Sequence, residues 1–148
     1  MRIPYLKLFI HVVWGTWDRI PVEERIMTAA HVCIHEECKQ MGARLVAIGG
    51  TGDHVHVVAQ IPSTVSIANF MKQVKGASSH FITHAMQQRG YFKWQGSYGA
   101  FSVSESHIAR VKTYILNQAE HHRERSVWDE YEKTEYLEPG SPDVSSLS

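Results

Sequence analysis

The stretch RLVAIGGTGDHVHVVAQI, residues 44–61, places two apolar runs around a glycine-rich turn, the pattern of a β-hairpin. Arg44 to Ile48 reads as a strand closed by Gly49-Gly50, with Thr51-Gly52-Asp53 supplying turn residues. His54 to Ile61 reads as the next strand, ended by Pro62. Side chains alternate faces along a strand, so His54 and His56 project from the same side. Val55, Val57 and Val58 are core-like and define the face on which the histidines sit.

Working outward, Leu6 to Trp14 alternates apolar residues with a β-branched bias and reads as a strand. Pro21 signals a helix start, with Glu23 and Glu24 in the first turn, where the helix dipole favours acids. That helix runs to about Met41 and stops at Gly42. Beyond Pro62, a helix is expected from Thr64 to Gln88, with Ile67, Phe70, Met71, Val74, Ala77, Phe81 and Ile82 as its apolar stripe and Gly90 ending it. Tyr91 to Trp94 reads as a short extended piece and Tyr98 to Val103 as a fourth strand. Ser104 is placed to cap a last helix over Glu105 to Arg125.

This order predicts an α+β ferredoxin-like plait. Its four-stranded antiparallel sheet carries helices on one face, plus an additional C-terminal helix. Residues 1–135 are expected to form one domain, and residues 136–148, rich in Pro, Gly and Ser, a mobile polar tail.

Composition points to a soluble globular protein, with 43% hydrophobic and 20% charged residues in 148. Leu8 to Trp14 is far too short to span a bilayer, and the N-terminus lacks the order of a secretory signal. A cytoplasmic protein without a membrane partner is expected. Cys33 and Cys38, five apart in a helix, read as reduced thiols. Residues 1–125 hold 14 basic and 9 acidic side chains, a net of +5, while from Ser126 onward six acids face Lys133 alone. A mildly basic body can bind phosphate locally. The acidic end would repel a phosphate backbone, which either weakens the binding of one or sets this end away from the binding face.

Two imidazoles on one strand can share a metal ion, or can simply sit on a half-buried polar face. On the last helix Tyr114, Gln118 and His122 recur at i, i+4 and i+8, with Val111, Ile115 and Leu116 on a neighbouring stripe. They are either exposed polar residues or a functional stripe, Tyr114 as nucleophile and Gln118 as a third, oxygen ligand. Two imidazoles and an amide oxygen form a neutral N/O site suited to Mg²⁺ or Mn²⁺ with open positions. Such an ion polarises a phosphodiester oxygen, and a phenol needs a base or a metal nearby to attack.

Asp53-His54-Val55-His56 resembles the HUH motif (His, hydrophobe, His) of single-tyrosine transposases, the insertion-sequence-200-like group that includes REP-associated tyrosine transposases. Tyr114-Ile-Leu-Asn-Gln118 with His121-His122 is similar to that family's catalytic helix, and His11 to Arg19 and Trp94 to Ser104 match in order and spacing. The resemblance covers roughly residues 5–135. It implies a metal-dependent transposase that cuts and rejoins single-stranded DNA, with hairpins at transposon ends as its substrate. Tyr114 would form a 5′-phosphotyrosine link, and His54, His56 and Gln118 would hold Mg²⁺ or Mn²⁺. His121 and His122 would contact the ligands or the DNA. The resemblance further implies a homodimer of bacterial or archaeal origin that acts at the nucleoid.

Lys72 and Lys75 could meet phosphates, and Trp14, Trp17, Arg19, Lys93 and Trp94 interleave aromatics with charge, as stacking on unpaired bases requires. Solvated lysines and core aromatics are the alternative. His11 reads as structural or DNA-facing. Two competing functions remain: a domesticated DNA-hairpin-binding protein that does not cut, and a nucleotide hydrolase of the histidine-triad type. The second wants a third alternating histidine where Val58 stands.

Overall fold

The computed structural model describes residues 1–86, 92–124 and 128–135. Strand β1 (Phe9–Gly15) lies at the centre, pairing antiparallel with β3 (His54–Gln60) on one edge and β4 (Gly99–Val103) on the other. Strand β2 (Arg44–Thr51) adds antiparallel to the outer edge of β3, giving the order β2-β3-β1-β4 of the expected plait. β1 starts at Phe9 rather than Leu6, because Phe9 pairs with Gln60 and Val103 and both ladders end there. β2 continues through Gly49-Gly50 to Thr51, which pairs with His54, so the turn is confined to Gly52-Asp53.

Helix α1 (Glu24–Gln40) starts later than Pro21 suggests. The Val22 N–H is held by the Gly52 carbonyl at 2.8 Å, which keeps the preceding segment extended against the hairpin turn. Helix α2 (Ile67–His80) is capped by Ser66, whose hydroxyl accepts from the Asn69 N–H at 3.1 Å, and a π-turn over Phe81–Ala85 prolongs it. The expected helix end near Gln88 and Gly90, with Tyr91, lies outside the described residues, as do Arg125 and the tail from residue 136.

The sheet alternation creates two cores. Ile10, Val12, Trp14, Val55, Val57 and Ala59 point to one face and pack under Ile26, Ala30 and Ile34 of α1 and Phe70, Met71 and Val74 of α2. Burying each large aliphatic or aromatic side chain there stabilises by roughly 1.5–3 kcal/mol. On the opposite face Phe9, Val58 and Val103 pack with Val111, Tyr114 and Ile115 of helix α3 (Ile108–Leu116). A Cβ at Gly49 would run into the Ile115 carbonyl, so glycine lets α3 lie directly on β2.

The continuous helix expected over Glu105–Arg125 is divided. A 3-10 turn (Glu105–His107) precedes α3, and α4 (Gln118–Glu124) follows a break at Asn117, whose ψ of 24° is not helical. Asparagine accommodates such a break because its side chain competes with the backbone for hydrogen bonds. Ser104 occupies the cap position but its hydroxyl bonds His107 Nδ1 at 2.6 Å instead of a backbone N–H. Among the described residues no helix is long and apolar enough to cross a membrane. Cys33 and Cys38 are free thiols.

Candidate active site

The face of the sheet opposite α1 and α2 carries the polar residues. His54 and His56 alternate on β3, and β1 places His11 beside them. All three histidines are fully buried. α3 and α4 then bring Tyr114 and Gln118 over the pair, each about 1% exposed. The residues expected to meet across the chain do meet.

Gln118 Oε1 lies 2.9 Å from His54 Nε2 and 3.0 Å from His122 Nε2. On its other nitrogen, His54 is held by Asp53 Oδ1 at 2.8 Å and Thr51 Oγ1 at 2.9 Å. Hydrogen bonds from His54, with Arg19 nearby, hold the Asp53 carboxyl well below the usual carboxylate range, against the effect of its burial. With the His54 proton donated from Nδ1 to this carboxylate, Nε2 keeps a lone pair facing the Gln118 oxygen, an arrangement suited to a shared cation.

A residue the sequence reading placed elsewhere completes the centre. Glu132, in a 3-10 turn over Asp129–Glu132, turns back onto the sheet. Its Oε1 accepts from the Tyr114 hydroxyl at 2.6 Å, and its Oε2 lies 3.1 Å from His56 Nε2 and 3.7 Å from His54 Nε2. Of the two readings of the acidic end, the one that sets it away from the functional face does not hold at Glu132. Trp128 stacks on the Tyr114 ring at 4.4 Å, and Tyr131 meets His11 edge-on at 4.9 Å, anchoring the segment by aromatic burial. The signal was these two aromatics among the acids. Thr134 adds a hydrogen bond to Gln95, and the Lys133 backbone lies against Gly99, where a Cβ would collide with it.

Burial pushes the Tyr114 phenol up to about 12, and the adjoining Glu132 carboxylate adds to the rise. Burial alone would raise Glu132, but hydrogen bonds from His56 and Tyr114 hold it down at about 2. Burial lowers His56, lowers His122 and takes His11 to about 3. The phenol is thus firmly protonated in this arrangement. His121 also stacks on the Tyr114 ring, at 4.7 Å, so the nucleophile candidate is packed between aromatic neighbours.

His54, His56 and Glu132 offer ligand atoms within 4.8 Å of one another, with Gln118 Oε1 adjacent. Neighbouring ligands of an octahedral ion bonded at about 2.1 Å lie roughly 3 Å apart. The separations here are 2.9, 3.1 and 3.7 Å, and the mixed set of imidazole nitrogens and oxygens suits a divalent ion.

The expected DNA-contact residues divide. Trp94 is corrected: it is 4% exposed, packs edge-on against Trp14 and donates to Ser78 Oγ, so its ring cannot stack on a base. Lys75 turns its ammonium to the Gln95 and Ser97 carbonyls, and Lys72 is exposed on α2, across the sheet from the histidines. Arg19 reaches the site through Asp53, whereas Lys93 keeps to Trp17. Arg19 pairs with Asp53 at 3.4 Å, and Lys93 lies over the exposed Trp17 ring at 4.4 Å. Asp18 and Arg19 both take left-handed backbone, φ 53° and 54°, a conformation costing about 1–2 kcal/mol per residue.

Fold and site together define an α+β protein with a paired-histidine, tyrosine-bearing centre. The chain belongs to the IS200-like transposase family, whose description, "Transposase IS200 like", matches residues 5–118. It is 29% identical over 118 residues to the ISDra2 transposase TnpA of Deinococcus radiodurans, covering 76% of this chain and 84% of that relative. A crystal structure of a candidate transposase from Deinococcus radiodurans R1 superimposes with a TM-score of 0.62 at 28% identity, covering 80% of this chain and 98% of the other. A REP-associated tyrosine transposase bound to a REP hairpin shares the fold, with a TM-score of 0.60 at 14% identity over 82% of this chain and 73% of that one.

Proposed function

We propose that this chain is a metal-dependent transposase that cleaves and rejoins single-stranded DNA through Tyr114. The observation that carries this reading is the single carboxylate of Glu132, which touches both the Tyr114 hydroxyl and the His56 imidazole and so sets nucleophile and metal donors side by side. His54 and His56 would hold the ion, with Gln118 Oε1 and Glu132 Oε2 as oxygen donors. When bound, it would supply polarisation of the scissile phosphodiester.

The Tyr114 oxygen forms the new bond to phosphorus, the bond to the 3′ oxygen breaks, and a 5′-phosphotyrosine remains. The phenol proton leaves to a base, and the departing 3′ oxygen takes one up. Rejoining reverses these bond changes at a second 3′-hydroxyl. In the arrangement seen, the protonated phenol and the strongly acidic Glu132 favour the resting state over attack. Trp128 and Tyr131 also cover the ring, so entry of a strand requires these two rings to move aside. Arg19, Lys93 and Trp17 then offer the incoming strand a cationic, stacking rim.

Residues 1–135 act as one domain in this reading, and the substrate is a strand with a hairpin at a transposon end, bound by a homodimer. The test is incubation with single-stranded oligonucleotides from the flanks of the gene, with Mg²⁺ or Mn²⁺. Site-specific scission, lost in His56→Ala while hairpin binding persists, supports it. The enclosure of Tyr114 favours one alternative, a hairpin-binding protein that does not cut. Tight binding of those hairpins without scission at any metal concentration would establish that alternative.

A further inference from the structure

His11 is fully buried, and its Nε2 sits 2.9 Å from His56 Nδ1. The other nitrogen of His11 has no hydrogen-bond partner among the described residues. Phe101 and Tyr131 surround the ring at 5.6 and 4.9 Å. A phenyl group would fill this aromatic nest and carry no unpaired nitrogen of its own, so ring packing alone does not explain an imidazole here. What a phenyl could not do is bond His56 Nδ1.

That bond carries one proton, and its direction decides which nitrogen of His56 can bind a cation. As the side chains stand, His56 Nε2–H donates to Glu132, leaving Nδ1 to accept from His11 Nε2–H. For Nε2 to present a lone pair to an ion, the His56 proton must sit on Nδ1 and be donated to His11 Nε2. The His11 proton then sits on its own Nδ1. Both rings stay neutral and keep one proton each. Only the nitrogen bearing it changes.

We infer that His11 is a positioning residue for the metal site: it fixes the His56 ring and receives its Nδ1–H, so that Nε2 becomes the ligand atom. This rests on the reading of His54 and His56 as metal ligands. Hydrogen-bonding partners of this kind orient ligating histidines and raise their basicity, and losing one typically costs 10–100-fold in metal affinity.

The experiment uses the full chain as wild type, His11→Phe and His11→Gln. Mn²⁺ binding is read by electron paramagnetic resonance of the free ion, and histidine tautomers by long-range ¹⁵N–¹H correlation with and without Zn²⁺. Wild type should show the His56 proton on Nε2 without metal and on Nδ1 with it. His11→Phe should weaken Mn²⁺ binding about 10–100-fold at unchanged circular dichroism. His11→Gln, whose carboxamide oxygen can accept from Nδ1–H, should recover most of that loss. Wild-type affinity in His11→Phe, or a Zn²⁺-loaded His56 without a proton on Nδ1, overturns the inference while leaving the metal reading intact. No Mn²⁺ binding by wild type overturns both. If His11→Phe fails to fold, His11→Gln and the wild-type tautomers decide.

Discussion

The hydroxyl of Tyr114 donates to Glu132 at 2.6 Å, joining a residue of α3 to one that lies beyond the last helix. Sequence distance hides this contact, yet it sets the chemical state of the site. A phenol that keeps its proton and donates it as a hydrogen bond to a half-buried carboxylate is stable and a poor nucleophile. The same carboxylate oxygen pair also reaches His56, so whatever displaces Glu132 acts on both halves of the centre.

Removing Glu132 should therefore release the phenol. In Glu132→Ala the Tyr114 titration should fall from about 12 toward the ordinary value near 10. It can be read as the phenolate absorbance difference between Glu132→Ala and Glu132→Ala/Tyr114→Phe. An unchanged midpoint would mean that burial alone sets the phenol.

Stability should depend on pH through the buried histidines. His11, at about 3 when folded against about 6.5 unfolded, binds fewer protons in the native state. Its contribution is fully present above pH 6.5 and lost as pH falls toward 3. Between pH 7.5 and 5 the loss is about 2 kcal/mol, or roughly 4–8 °C in Tm. His56 and His122, also lowered, act with the same sign. Thermal unfolding in His11→Phe should show a visibly shallower slope over this range, and an equal slope would remove His11 from the account.

The sheet–helix contact at Gly49 should be sensitive to a single methyl. Gly49→Ala sets a Cβ against the Ile115 carbonyl, backbone that cannot swing aside, and overpacking of this kind costs about 1–3 kcal/mol. Because Tyr114 rides on the same helix, DNA cleavage should fall further than Tm implies. Scission at the wild-type rate in a folded Gly49→Ala protein would show that the α3 position is not critical.

Arg19→Ala and Lys93→Ala should each weaken single-stranded DNA binding and reduce the salt slope by about 0.7 per lost phosphate contact. Lys72→Ala, across the sheet, should leave both unchanged. Trp94→Ala should instead lose stability, about 3–5 kcal/mol, because its ring is core. Salt titrations of binding distinguish these outcomes.

Much of this architecture was legible from periodicity. The β2–β3 hairpin, the flanking helices and the order of strands follow from alternation, glycines and apolar stripes, because these elements bury one regular face. His54, His56, Tyr114 and Gln118 were legible for the same reason, since two residues apart on a strand and four apart on a helix share a side. Glu132 was not, because it reaches the site by a non-periodic turn whose position depends on Trp128 and Tyr131 finding a hydrophobic surface. For Trp94 the sequence left stacking and core open, because an aromatic next to a lysine looks alike in a core and on a rim. The break at Asn117 escaped because the i, i+4, i+8 spacing of Tyr114, Gln118 and His122 continues across it.

In the proposed mechanism Tyr114 makes the covalent bond to DNA. Flank oligonucleotides labelled at the 3′ end, incubated with the protein and Mn²⁺, should give a protein–DNA adduct that survives denaturing electrophoresis. Peptide mass mapping should locate a 5′-phosphate on Tyr114, and Tyr114→Phe should form no adduct. An adduct of equal yield in Tyr114→Phe, or one mapped to another residue, would contradict the account.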